Sequence, residues 1–436
     1  MLSDDEIRKI ILKKKKRVYA IRRALAGALL LIVLIMLVLP TRNVPKFDKS
    51  VIRSSVDETA EEPKLKAEAA EIYSLDLERP VFQKNADQRL DPYSITKILT
   101  CYLVLEDPEL DLNKKYKVKK DKYKDYVDGS HMMAFEGEVF TIEELLRATL
   151  LSSANDAAYF LAVDNAGSEE KFAEKMNEQV KAWGLENTHF VNSNGWKNKN
   201  HYTTAHDMAI ITARCFENDA LRKLSEIREY KIPETEKSYQ RNYVNFFWRA
   251  VEYNRNVTCG KTGSWTDDDC SIALEFSEKN LSAVIVLLRD SREKRSEDIT
   301  KLQDYSHKVT PGFIVASEAD EVCLTRIKGG AETLAPLSFD KTVIAYPKSA
   351  DKKDIKVAIS TDPIEAPASK GARAGRYSVI VDGAELESGN LLLTEDVEKG
   401  WFLSRFYISN QSTLIGAAII FLFIVLTLLL KARGSK

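Results

Sequence analysis

A serine and a lysine stand three residues apart at the head of an apolar stretch: Ser94 and Lys97, in Asp91-Pro-Tyr-Ser-Ile-Thr-Lys-Ile-Leu-Thr-Cys-Tyr-Leu-Val-Leu-Glu-Asp107. On a helix that spacing puts both side chains on one face, with the amine in reach of the hydroxyl. An unassisted hydroxyl is a poor nucleophile at neutral pH. A neutral, desolvated lysine is one of the few side chains able to take its proton. The free N–H groups and dipole of a helix N-terminus also favour a negative charge developing there. The pair therefore has the makings of an activated serine nucleophile.

The spacing alone is common: Ser338-Phe-Asp-Lys341 and Ser349-Ala-Asp-Lys352 repeat it and read as solvated charges near turns. Only Ser94 is followed in order by S-x-N, at Ser153-Ala-Asn155, and by the chain's one K-T-G, at Lys261-Thr-Gly263. Ser388-Gly-Asn390 is a chance S-x-N. The elements that must position these motifs are also legible. The Ser94 stretch predicts a helix opening at Asp91-Pro92 and stopping at Asp107-Pro108. Before it, Ala70–Leu77 and Val81–Lys84 flank a turn at Glu78-Arg-Pro80 and predict a hairpin. Thr141, with Glu144 three residues on, predicts a capping box. The helix it starts carries Leu145, Leu146, Ala148, Leu150 and Leu151 inward and delivers Ser153 and Asn155 at its end. Ser271–Phe276 and Leu281–Leu288 read as buried strands, and K-T-G on an edge strand beside the Ser94 helix would close a cleft.

With these motifs in place, the stretch from about Ala70 to Tyr407 resembles the serine-type D-alanyl-D-alanine carboxypeptidases, the low-molecular-mass penicillin-binding proteins. Phe190-Val-Asn-Ser-Asn-Gly195, His201-Tyr-Thr-Thr-Ala-His-Asp-Met208 and the segment around Gly129-Ser-His-Met-Met133 also look like family sequence. Further on, Glu365-Ala-Pro-Ala-Ser-Lys-Gly371 and Ala374-Gly-Arg-Tyr-Ser-Val379 resemble the small β-domain that follows the catalytic domain in this family. The resemblance implies an α/β (α+β) catalytic domain like that of serine β-lactamases and penicillin-binding proteins, followed by a small all-β domain. It also implies a peptidoglycan stem peptide ending in D-alanyl-D-alanine as substrate, β-lactams as ligands, and no cofactor. Ser94 is then the nucleophile, Lys97 the general base and Ser153 the proton relay. Asn155 hydrogen-bonds the substrate amide, and Lys261 and Thr262 suit its terminal carboxylate. Gly263 permits close approach, and the amides of Ser94 and Ser264 form the oxyanion hole. A D,D-endopeptidase, a β-lactamase and a catalytically idle penicillin-binding sensor are the rival readings. The commonest β-lactamases need a Glu-x-x-x-Asn loop, and no Glu between Asn155 and Gln240 has Asn four positions on.

At 436 residues the chain predicts two domains plus extras, and a net charge of −1 argues against nucleic acid as a partner. The five cysteines lack metal or redox spacing, although Cys259 and Cys270 could face each other across a hairpin. No histidine pairs with a second ligand at metal spacing, and His131 reads as structural. Lys13-Lys-Lys-Lys-Arg17 with Arg22 and Arg23 precedes an apolar run, and a second run ends at Lys431 and Arg433. Positive charge marks the cytoplasmic side. The expected order is a cytoplasmic basic segment (1–23), a membrane-spanning signal anchor (24–40), a flexible tether (41–66) and a catalytic domain (67–310). A β-rich domain (311–407), a second membrane helix (410–430) and a cytoplasmic tail (431–436) follow. This places a protein of the bacterial cell membrane with both working domains outside the cytoplasm.

Overall fold

The computed structural model describes residues 4–38, 46–119, 129–278 and 280–433. The chain divides into two units: Ser54–Phe313 with Ala345–Asp351, and a second made of Met1–Arg53, Ile314–Ile344 and Lys352–Lys436.

The first unit is built on a five-stranded antiparallel sheet. Its strands are β1 (Ala69–Ser74), β2 (Arg79–Lys84), β3 (Val257–Thr266), β4 (Asp269–Glu278) and β5 (Leu281–Asp290), in spatial order β2-β1-β5-β4-β3. Strand β5 lies at the centre because it is apolar on both faces. Val284, Val286 and Leu288 enter one core with the helical region, while Ala283, Ile285 and Leu287 enter a second core with Ile299 and Leu302. Two-sided burial of this kind produces a continuous apolar run rather than alternation. The expected hairpin forms, with Ala70 opposite Lys84. The K-T-G strand β3 is at the sheet edge, where its outer N–H and C=O groups have no neighbouring strand.

The helices follow their signals. Thr141 Oγ1 accepts from the Glu144 amide at 3.1 Å, and Glu144 Oε2 accepts from the Thr141 amide at 2.8 Å. This capping box starts helix Ile142–Leu151, which ends just before Ser153, and Asn155–Ala166 follows. The Ser94 stretch departs from one continuous helix. A 3-10 turn, Tyr93–Thr96, comes first and runs into helix Lys97–Leu105.

The second unit holds a six-stranded sheet, with Ile355–Thr361, Arg373–Val381, Ala384–Leu393, Leu334–Phe339, Cys323–Lys328 and Ile364–Glu365 as neighbours in that order. Tyr377 stacks on Phe339 with ring centroids 3.6 Å apart, and the expected β-domain is present. The expected tether is a correction, because much of it is engaged. The Asp48 amide donates to the Val322 carbonyl at 2.8 Å, while those of Ser55 and Asp57 donate to the Gly312 and Lys308 carbonyls. Residues 41–45 of that stretch lie outside the described residues. The two expected spans fall on helices Asp4–Val38 and Asn410–Arg433. The side chains of 4, 7, 22, 25, 29–38, 427 and 429–433 and the whole of residues 39, 40 and 434–436 also lie outside them. Among the described residues no helix is long and apolar enough to cross a membrane.

Candidate active site

All three motifs converge on Ser94. Tyr93, just before it, takes a left-handed backbone at φ +53°. A residue with a Cβ holds that conformation at a cost of about 1–3 kcal/mol, and only where its surroundings over-determine it. Two glycines let those surroundings close in. A Cβ at Gly195 would stand 1.8 Å from the Tyr93 carbonyl oxygen, and one at Gly263 would stand 2.8 Å from the Ser94 amide nitrogen. The Asn194-Gly195 loop and strand β3 therefore press on the nucleophile turn from either side, which only glycine allows.

Lys97 is fully buried. Its Nζ lies 2.9 Å from Ser94 Oγ and donates to Asn155 Oδ1 and to the Asn194 carbonyl, each at 2.7 Å. The last two atoms can only accept. They take both N–H bonds of a neutral amine, and its lone pair is left facing the Ser94 hydroxyl. Electrostatics favour that neutral form: burial first, then the nearby positive charge of Lys261, hold the Lys97 pKa well below the usual lysine value.

Lys261 is also buried, at 1% exposed. Its Nζ donates to Ser153 Oγ at 3.0 Å and to the Thr262 carbonyl at 2.9 Å, so the third motif is tied to the second. Burial lowers its pKa to about 7, with a smaller push from the Arg295 charge. Both lysines are thus shifted toward the neutral form, Lys97 with the charge of Lys261 as an added cause. Ser153 is itself left-handed at φ +61°, and the Asn155 amide donates to the Ser130 carbonyl at 2.8 Å. Thr262 and Ser264 follow along the edge strand, opposite Ile272 and Cys270.

Two participants carry no sequence signal. One is the Asn194 carbonyl, a backbone group. The other is Arg295, the first residue of helix Arg295–Val309, which is 8% exposed, has a buried Nε without a partner, and lies near enough to Lys261 to repel its charge. Lys261, on which the Arg295 charge also acts, thus has no carboxylate among its partners, an arrangement suited to an anionic substrate group.

The remaining candidates are structural. His201 is 2% exposed, and its Nδ1 accepts from the Val191 amide at 3.2 Å. Its Nε2–H therefore donates to Thr96 Oγ1 at 3.1 Å, and burial lowers its pKa to about 3. It is a neutral strut between the loop and the nucleophile turn. Among the described residues no cluster of His, Cys, Asp and Glu could hold a metal. All five cysteines are free and buried. The possible Cys259–Cys270 pairing is corrected by register, since Cys259 lies opposite Glu275 and Cys270 opposite Ser264.

The chain also matches known proteins. The family profile described as D-alanyl-D-alanine carboxypeptidase, peptidase S11, matches residues 56–291. That of the penicillin-binding protein 5 C-terminal domain matches residues 315–399. The D-alanyl-D-alanine carboxypeptidase DacF of Bacillus subtilis is 29% identical over 345 residues, covering 78% of this chain and 87% of DacF. DacC of Escherichia coli is 27% identical over 370 residues, covering 80% and 89%. Among solved structures, penicillin-binding protein 5 of Haemophilus influenzae shares the fold at a TM-score of 0.54 and 22% identity, over 78% of this chain and all of that one. The Streptomyces K15 DD-transpeptidase gives 0.53 and 25%, over 56% and 98%. With more than half of its length matched by that first profile, the chain belongs to the D-alanyl-D-alanine carboxypeptidase family, peptidase S11.

Proposed function

We propose that this serine D-alanyl-D-alanine carboxypeptidase works through an acyl-enzyme on Ser94, with Lys97 as its base. The observation that carries the reading is the hydrogen-bond set of Lys97, whose two fixed acceptors leave its lone pair for the Ser94 hydroxyl. Ser94 Oγ attacks the carbonyl of the penultimate D-alanine while its proton passes to Lys97 Nζ. The peptide bond breaks, Ser153 relays a proton to the departing amine, and D-alanine leaves. Water then hydrolyses the ester. Asn155 hydrogen-bonds the substrate amide, Lys261 and Thr262 hold its terminal carboxylate, and the amides of Ser94 and Ser264 receive the oxyanion. A β-lactam, whose strained amide resembles the D-alanyl-D-alanine terminus, acylates the same serine. The decisive experiment incubates the full-length protein with a stem pentapeptide and measures free D-alanine. Release by wild type and none by Ser94→Ala supports the reading, whereas equal release by both refutes it.

The membrane setting rests on sequence. Two apolar runs, 24–40 and 410–430, are each flanked by cations on the side expected to face the cytoplasm. This favours two anchors holding the catalytic and β-domains outside the bacterial cell membrane. Reporter fusions at residue 436 and within 46–66 test it. A C-terminal reporter active only outside the membrane contradicts this topology.

A further inference from the structure

Behind the nucleophile lies a contact that the reaction scheme leaves unused. Tyr93 is 2% exposed, and its phenol donates to Asp269 Oδ2 at 2.6 Å, across to the first residue of β4. Its ring stacks on Trp265, with centroids 6.3 Å apart and planes 20° apart, and Trp196 meets Trp265 edge-on at 5.2 Å. Each of the three aromatics adjoins a working group. Tyr93 precedes Ser94, Trp265 follows Ser264, and Trp196 is two residues beyond the Asn194 carbonyl that holds Lys97. The cluster therefore ties together the three segments whose relative placement sets the Ser94–Lys97 contact and the oxyanion amides.

We infer that Tyr93 and Asp269 are positioning residues for acylation: their hydrogen bond holds the left-handed Tyr93 backbone, and with it the Ser94 amide and Oγ, against the K-T-G strand. The inference rests on Ser94 being the nucleophile. Left to itself, a left-handed tyrosine relaxes to the β or right-handed region and rotates the next amide out of line. The stacked ring resists sliding, but only the phenol fixes the rotation, because it ends on a carboxylate of the hairpin that also carries Lys261-Thr-Gly263. A bond to a charged acceptor is strong enough to oppose the local backbone strain. Small displacements of a nucleophile act on rate rather than on substrate affinity.

The test is stopped-flow acylation of the full-length protein by a fluorescent penicillin, separating the dissociation constant of the initial complex from the acylation rate constant. Tyr93→Phe keeps the ring and removes the donor. It is expected to slow acylation about tenfold with the initial binding constant unchanged, and still to label Ser94 to completion. Asp269→Ala should show the same loss, the double variant no further loss, and Asp269→Asn, which still offers an acceptor oxygen, should recover most of the rate. A Tyr93→Phe rate within twofold of wild type, or losses that multiply in the double variant, overturns the proposal. Should Tyr93→Phe fail to fold, the Asp269→Ala and Asp269→Asn pair decides by the same criterion. The two readings fail separately. If Ser94→Ala still labels, the nucleophile assignment falls and the positioning role falls with it. If Ser94→Ala is silent while Tyr93→Phe is as fast as wild type, only the positioning role falls.

Discussion

Two places in the catalytic unit bury cations, and they do so in opposite ways. Arg241 is 9% exposed and uses all five of its N–H groups: Glu138 receives two, at 3.0 and 2.6 Å, and the carbonyls of Met132, Met133 and Tyr239 receive the rest. A buried charge satisfied in this way is a fastener. It anchors the segment whose Ser130 carbonyl meets the Asn155 amide. In the cleft, Lys97 and Lys261 have neutral partners and repel each other, and Arg295 keeps a buried Nε unpaired. Burial lowers both lysine pKa values, and the lack of a bonded carboxylate leaves room for that of a substrate. The same residue types thus hold structure where charge is matched and perform chemistry where it is not.

The sharpest way to break that contrast is Lys97→Arg. A guanidinium stays protonated and cannot take the serine proton, so acylation is expected to fall by about three to four decades, as a stopped-flow measurement would show. If Lys97→Arg acylates as fast as Lys261→Arg, the roles are wrongly divided. Next in size is Arg241→Met, which leaves Glu138 buried and unpaired and should cost about 3–5 kcal/mol in urea unfolding. The folded fraction should keep its acylation rate constant, so a loss of rate at unchanged stability would make Arg241 part of the site. Lys261→Arg preserves charge with a poorer fit. It should lower kcat/KM by roughly one to two decades, mainly through KM. It should also abolish the alkaline fall in kcat/KM that deprotonation near pH 7 predicts for the free wild type.

The most gradual effect is on stability. A lysine whose folded pKa is about 7 instead of 10.5 binds fewer protons folded than unfolded, so its penalty is largest below pH 7 and fades as pH rises. Measured against Lys261→Met, wild-type stability should gain about 1.4 kcal/mol per pH unit between 7 and 10.5. A difference independent of pH would mean that Lys261 titrates normally.

The sequence exposed the parts of this site that depend on residue type at fixed local spacing. Ser94 and Lys97, Ser153 and Asn155, and the K-T-G run each lie within one turn or strand, and their carriers announce themselves through caps and apolar periodicity. What depended on chain segments distant in sequence stayed hidden. Nothing near residue 70 says that β1 pairs with β5, where Ile72 faces Ile285. Asn194 acts through its backbone, and the Arg295 charge acts on Lys261 only through the tertiary fold. The left-handed Tyr93 depends on close approaches that only glycine at 195 and 263 permits, a tertiary effect that overrides the helical pattern around it. The cysteine register failed for a local reason: the hairpin turns between Thr266 and Asp269, so Ser264 rather than Cys259 comes to lie opposite Cys270.

The central claim is that Ser94, activated by Lys97, is the residue acylated, and mass spectrometry of penicillin-treated full-length protein tests it most directly. One adduct is expected on the peptide containing Ser94, none in Ser94→Ala, and wild-type acylation should slow as pH falls and Lys97 becomes protonated. An adduct on any other residue, or full labelling of Ser94→Ala, would contradict it.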